Sequence, residues 1–142
     1  MADFSGGKGS AEDPYRISTA ADLVSLSEKC ESQYDKYTHS HYIQTADIVM
    51  NKVRFCPIGM TEEKAFKGSY DGGGHSISNL SPRLVLGTAY GMFAWTDGAK
   101  IKNLKLNDFK NTGSSQNSAA LAGYAKNTDI SDISIDGPLH FY

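Results

Sequence analysis

Cysteine is scarce in this chain: Cys30 and Cys56 are the only two in 142 residues. A disulfide between them requires Cα atoms within about 7 Å of each other. Otherwise each behaves as a small buried hydrophobe, and the apolar neighbours Phe55 and Ile58 favour free, buried thiols. Histidine is almost as sparse. His39-Ser40-His41 would set two imidazoles on one face of a strand. No cysteine or third histidine lies at ligand spacing, so no metal site and no cofactor are expected.

Neither sign of charge dominates, with Lys and Arg at 14, Asp and Glu at 16, and a net charge of -2. That excludes the basic patch of a nucleic-acid binder and the polybasic signal of a membrane-surface protein. It is also too mild for a mimic of DNA. No run approaches the roughly 18 apolar residues of a transmembrane helix. The opening Met1-Ala2-Asp3-Phe4 lacks the basic and apolar regions of a signal peptide. The expected location is cytoplasmic if the chain is complete as given, and cell-surface or secreted if it is an excised segment.

Glycine and tyrosine, by contrast, are abundant, at 14 and 8 residues. With apolar runs this short, the mixture fits turns and short strands better than a helical bundle. A chain of 142 residues can bury a core as one domain without staples. Its organising pattern runs from Phe66 to Leu80, returning from Tyr90 to Leu104 and from Ala119 to Ile133, at steps of 24 and 29 residues. In that gapless register Gly68, Met92 and Leu121 correspond, as do Asn79, Asn103 and Asp132. Ile77, Ile101 and Ile130 are expected to form one buried column, and Leu80, Leu104 and Ile133 another. Each copy holds two extended runs joined by a turn: Asp71-Gly72-Gly73-Gly74, Thr96-Asp97-Gly98, and Lys126-Asn127. Two strands cannot bury an apolar face alone, whereas stacked units share a continuous core.

These repeats resemble the GLUG-motif family. The likeness rests on Tyr90-Gly91-Met92-Phe93-Ala94, on Ala120-Leu121-Ala122-Gly123-Tyr124, and on the Ile-Ser-Asn-Leu, Ile-Lys-Asn-Leu and Ile-Ser-Asp-Ile runs. Gly6 to Ile17 is similar to the family's Gly-rich opening, and Asp22-Leu23, Asp47-Ile48 and Pro57-Ile58-Gly59 to the segments that follow it. The resemblance implies a right-handed parallel β-helix of the sort found in bacterial surface proteins, adhesin-like proteins and phage products. No catalytic residues belong to these motifs. Ala94, Ala119, Ala120 and Ala122 stand where the family prefers Gly or Val, which implies a tighter final coil.

The predicted fold is therefore mostly β: a short parallel β-helix, or solenoid, of about three to four coils with an N-terminal capping helix. One domain spans residues 1–142, divided into a lead and helical cap (1–41), first strands (42–65), and three repeat coils with a tail (66–142). Gly6-Gly7-Lys8-Gly9-Ser10 has the wrong spacing for a phosphate loop, and no apolar strand precedes it. Tyr15-Arg16-Ile17 reads as a strand. Thr19 with Asp22 forms an approximate capping box, and Leu23, Leu26 and Cys30 recur at helical spacing, predicting a helix over 20–31. Residues 31–41 read as a loop or an extension of that helix. Strands are expected at Tyr42-Ile43-Gln44-Thr45, Ile48-Val49-Met50 and Val53-Arg54-Phe55, and a polar insertion at Lys110–Ser118.

No catalytic constellation is visible. Asp71 and His75 flank three glycines, but Asp and Gly are what a tight turn requires. Glu62 and Glu63 would point to opposite faces of a strand, and there is no nucleophile elbow. The Asn79, Asn103, Asp132 column is read as a structural ladder. On the outside, Lys100, Lys102, Lys105 and Asn107 of one coil should face Asp129, Ser131, Ser134 and Asp136 of the next.

What remains is surface. Tyr34, Tyr37, Tyr70, Trp95, Tyr124, Phe141 and Tyr142 are of the types enriched in interface hot spots. All but Tyr70 are taken as the partner-binding surface. The expected function is a non-enzymatic recognition module of a bacterial surface (adhesin-like) or phage-derived protein, with a protein partner. A second reading is a small phage or mobile-element inhibitor that acts inside the cell by protein binding. A carbohydrate-binding or carbohydrate-active β-helix is the third. A homodimer through the C-terminal coil is expected because Ile133 and Ile135 lack a lid comparable to the helix. The tail Leu139-His140-Phe141-Tyr142 competes as a partial plug.

Overall fold

The computed structural model describes residues 4–50, 55–56, 58–59, 61–80, 92–107 and 122–136. Strand β1 (Tyr15–Ile17) alternates, with Tyr15 and Ile17 buried and Arg16 exposed. Thr19 then stops the extended chain and starts α1 (Ala20–Ser32). Its hydroxyl accepts from the Asp22 N–H at 3.1 Å, and the Asp22 carboxylate accepts from the N–H groups of Ser18 and Thr19 at 2.9 and 3.3 Å. This is the capping box expected from the sequence. Leu23, Leu26 and Cys30 form its fully buried stripe. A four-residue helix α2 (Tyr34–Tyr37) follows, so residues 31–41 are part helix and part turn.

The remaining elements are strands: β2 (His41–Gln44), β3 (Ile48–Val49), β4 (Ser69–Asp71), β5 (Ser76–Ser78), β6 (Phe93–Asp97), β7 (Lys100–Asn107), β8 (Ala122–Lys126) and β9 (Asp129–Asp136). The fold is mainly β, and every strand pair among the described residues is parallel. Among those residues no helix is long and apolar enough to cross a membrane.

Three ladders organise the strands. In the first, β1, β2, β4 and the leading halves of β7 and β9 align Tyr15, Tyr42, Tyr70, Ile101 and Ile130 in one column. In the second, β3, β5 and the trailing halves of β7 and β9 align Ile48, Ile77, Leu106 and Ile135. The third pairs β6 with β8, and bridges join Ile58 to Phe93 and Phe66 to Thr96.

Strands β7 and β9 serve two ladders each because they turn at Asn103 and Asp132, whose φ angles are 55° and 54°. Asn and Asp are the L-residues that tolerate this left-handed region best. Strands β4 and β5 make the same corner with Gly72-Gly73-Gly74-His75. There Gly73 has a φ of 63°, and a Cβ on it would lie 2.5 Å from the Gln44 carbonyl oxygen.

This difference in corner length corrects the gapless register. Ile77 lies beside Ile48 and Leu106 rather than in a column with Ile101, whose neighbours are Tyr70 and Ile130. Leu80 likewise falls past Ile77 on the second ladder and is not stacked on Leu104, which pairs with Ile133. The Asn79, Asn103, Asp132 column is similarly displaced. Asn79 donates its N–H to the Asn107 carbonyl at 2.9 Å, and all three residues serve as left-handed corners. The step from the second copy to the third was legible: Lys100, Lys102, Lys105 and Asn107 face Asp129, Ser131, Ser134 and Asp136 as expected.

Inside, aromatic rings carry the core from pass to pass. Phe4 and Tyr15 lie 4.8 Å apart, Tyr42 and Phe66 5.9 Å, and Phe66 and Phe93 5.1 Å. Such tilted and edge contacts add about 0.5–1.5 kcal/mol beyond area burial. Gln44, at 1% exposure, is one of the buried polar residues, and its bonds are made. Its amide nitrogen donates to the carbonyls of Ala46 and Ser76 at 3.0 and 2.9 Å, and its oxygen accepts from the Tyr70 hydroxyl at 2.8 Å. Buried polar groups persist only when satisfied in this way.

Candidate functional site

Alternation along the first ladder sends the residues flanking its central column outward. Register then places Arg16, Ile43, Asp71, Lys102 and Ser131 in one outer row. His41, Ser69, Lys100 and Asp129 form a second row beside it. Ala11 and Pro14 of the N-terminal lead stand against these rows, and together they line a cleft of about 310 Å³.

The lead is held there by its glycines. A Cβ on Gly7 would meet the Pro14 carbonyl oxygen at 1.9 Å, and the φ of 91° favours glycine in any case. Gly9 accepts from the His41 N–H at 2.9 Å, fixing the wall to the start of β2.

In the cleft His41 Nδ1 and the Ser69 hydroxyl are 2.7 Å apart. Lys100 and Lys102 are exposed at the rim. Asp71 is committed to its turn: one oxygen accepts from the Gly73 N–H at 2.8 Å and from the Asn103 amide at 3.2 Å. The cleft thus offers two ammonium groups, an imidazole and a hydroxyl, mostly donors, to whatever enters it. His75 does not join Asp71. Its Nδ1 lies 3.2 Å from an Asp47 carboxylate oxygen. That carboxyl is held below its ordinary range, first by the Ser76 N–H and then by His75.

Of the aromatic residues expected from sequence to form one surface, the structure places the side chains of Tyr34, Tyr37 and Trp95. Tyr37 is corrected: it is only 3% exposed and packs edge-on against Phe4 and near Tyr15. Tyr70 is wholly buried for the same reason, being the inward residue of β4. Tyr34 is half-buried, donates to Glu63 at 3.2 Å, and lies under the Lys64 ammonium at 5.5 Å. Lys64 also pairs with Glu31 at 2.8 Å, tying the 61–65 turn to α1. Trp95 is half-buried on β6, directly paired in register with Tyr124 of β8. Phe141 and Tyr142 lie outside the described residues, as do the expected insertion at 110–118 and most of the strand expected at 53–55. Both cysteines are free, with Cys30 buried and Cys56 half-buried.

His39 is exposed in the turn before β2, away from the Ser69 contact that His41 makes. Among the described residues no three His, Cys, Asp or Glu side chains gather as metal ligands.

The sequence shows the outward rows only across the last two passes, yet a signal for their continuation through β1, β2 and β4 exists. Polar-Tyr/Ile-polar triplets recur at Pro14-Tyr15-Arg16, His41-Tyr42-Ile43, Ser69-Tyr70-Asp71 and Lys100-Ile101-Lys102, loosely in the first two. A central ring that repeats while its flanks vary marks an inward column between two outward ones.

Comparison with known protein families gave no match. No solved structure matches either. Among curated proteins, Halomucin of Haloquadratum walsbyi is similar, at 28% identity over 138 residues that cover 92% of this chain. The chain spans about 2% of the length of that relative.

Proposed function

We propose that this chain is a short right-handed parallel β-helix acting as a non-enzymatic recognition module. It engages a protein partner across the outward face of the first ladder. The observation that carries this reading is the pair of adjacent outer rows, one running through β1, β2, β4, β7 and β9 and the other through β2, β4, β7 and β9. Flat rows of this kind present many side chains at fixed spacing and leave the core untouched. The parallel steps of about 29 residues (Ile101 to Ile130, Leu106 to Ile135) and the GLUG resemblance support the coil. In that coil α1 acts as the N-terminal cap. Similarity to a small segment of a far longer protein supports a module carried within a larger surface or phage-derived polypeptide.

A carbohydrate ligand is the second reading, favoured by the cleft, whose 310 Å³ falls in the range of about 300–1,000 Å³ typical of ligand pockets. Both readings are tested by presenting the immobilised chain to arrayed surface proteins and polysaccharides. The double variant Lys100→Glu/Lys102→Glu should weaken the captured ligand at least about tenfold. Glu28→Lys on the exposed side of α1 should leave it unchanged. Equal binding by both variants would remove the first ladder from consideration. Polysaccharide turnover that vanishes in Asp71→Asn or His75→Ala would overturn the non-enzymatic reading.

A further inference from the structure

The two ends of the first ladder are finished differently. At β1 the edge is occupied: the Ser5 N–H donates to the Arg16 carbonyl at 2.9 Å, and the Arg16 N–H donates to Gly6 at 2.8 Å. At the other end, β9 pairs along one side with β7. Ile130 is 44% exposed there, although its register partner Ile101 is wholly buried. Among the described residues, the column that is closed beyond Tyr15 therefore ends in a partly exposed isoleucine. Strand edges next to exposed apolar side chains are templates for another strand.

We propose that the edge of β9 takes up, in parallel register, a basic β-strand from a different polypeptide. Charge selects the partner. Asp129, Asp132 and Asp136 give β9 three carboxylates and no cation. On the β7 side, Lys100, Lys102 and Lys105 stand opposite Asp129, Ser131 and Ser134. A strand added on the far side meets the same row, so the complement it needs is again basic.

Backbone shape narrows it further. β9 turns its corner at Asp132, as β7 does at Asn103, so an added strand needs Asn, Asp or Gly at its fourth place. Ile130 and Ile133 call for apolar residues at its second and fifth. The resulting pattern is basic, apolar, basic, Asn/Asp/Gly, apolar, basic, apolar, which this chain itself contains at Lys100–Leu106. A second copy is a poor occupant. Two β9 edges would bring their carboxylates together, and the β1 edge is already taken by residues 5 and 6.

The probe is a fluorescein-labelled peptide of sequence Lys-Ile-Lys-Asn-Leu-Lys-Leu-Asn, titrated with the full chain at low salt and read by anisotropy. Saturable binding below about 1 mM is expected. Replacing its three lysines by glutamate should weaken it about fivefold or more. Ile130→Lys and, as a milder variant, Asp129→Asn should weaken it too, with unchanged circular dichroism, while Glu28→Lys should not. Absence of saturation, or equal binding of the two peptides, overturns the proposal. So does binding that appears only after residues 138–142 are deleted, because the chain's own tail is then the occupant. A dimer in sedimentation at micromolar concentration that the peptide cannot dissociate overturns it in favour of a second copy.

Discussion

Gln44 and Tyr70 show how a single buried polar pair is kept in an aromatic core. Removing the Tyr70 hydroxyl leaves the Gln44 oxygen without its donor, at a site where Gln44 is only 1% exposed. Tyr70→Phe should therefore cost about 1–3 kcal/mol, the penalty of an unsatisfied buried acceptor. Tyr34→Phe removes an exposed bond to Glu63 and should cost less than about 0.5 kcal/mol. Equal shifts of the urea midpoint would show that the Gln44 oxygen finds another donor. The two thiols differ in the same way. Burial pushes the Cys30 thiol up to about 12 from its ordinary 9.0. Iodoacetamide at pH 8 should label half-buried Cys56 and leave Cys30 until the chain unfolds. Because the folded state disfavours the Cys30 thiolate, its contribution to stability is complete below pH 9 and declines towards pH 12. Labelling of both thiols at the same rate in the native chain would contradict this burial.

At the scale of elements, pattern was legible wherever geometry repeated without interruption. The helix from Ala20 to Ser32 was visible because Thr19 and Asp22 cap it and Leu23, Leu26 and Cys30 stripe it. The pairing of β7 with β9 was visible because both turn on a single residue, Asn103 or Asp132. The pairing of β5 with β7 was not, because β4 and β5 spend Gly72 to His75 on the same corner and the sequence slides out of step. The burial of Tyr37 was hidden too, since a four-residue helix carries too little periodicity to reveal which side faces inward. Of the candidate site, only the Lys/Asp rows of the last two passes could be read. The cleft needs the fold of the Gly-rich lead against β2, β4 and β7. The core consequence is direct. Ile101 is buried between Tyr70 and Ile130, so Ile101→Ala should cost about 2–5 kcal/mol. Lys102→Ala, on the outward side of the same strand, should cost less than about 0.5 kcal/mol. Similar losses in thermal denaturation would mean that β7 is turned over.

At the scale of the whole molecule the question is whether successive passes melt together. A stack in which each unit touches only its neighbours can unfold in parts, with stability set by local interfaces. Here one core cluster among the described residues runs from Tyr15 and α1, through Phe66 and Phe93, to Ile101 and Leu106. Strand β7 joins two ladders covalently, and Phe66 bridges to Thr96 in the third. Those links favour a single cooperative transition, as in most domains under about 150 residues. Trp95, the one tryptophan, sits on β6 and reports the third ladder. The tyrosines, Tyr15, Tyr42 and Tyr70 of the first ladder among them, absorb at shorter wavelength in the near-ultraviolet. The two signals, followed through one urea titration, should share a midpoint, and Ile101→Ala should move both by the same amount. A Trp95 transition that precedes the tyrosine transition would show that the passes carrying β6 and β8 open before the Tyr15–Tyr42–Tyr70 column does.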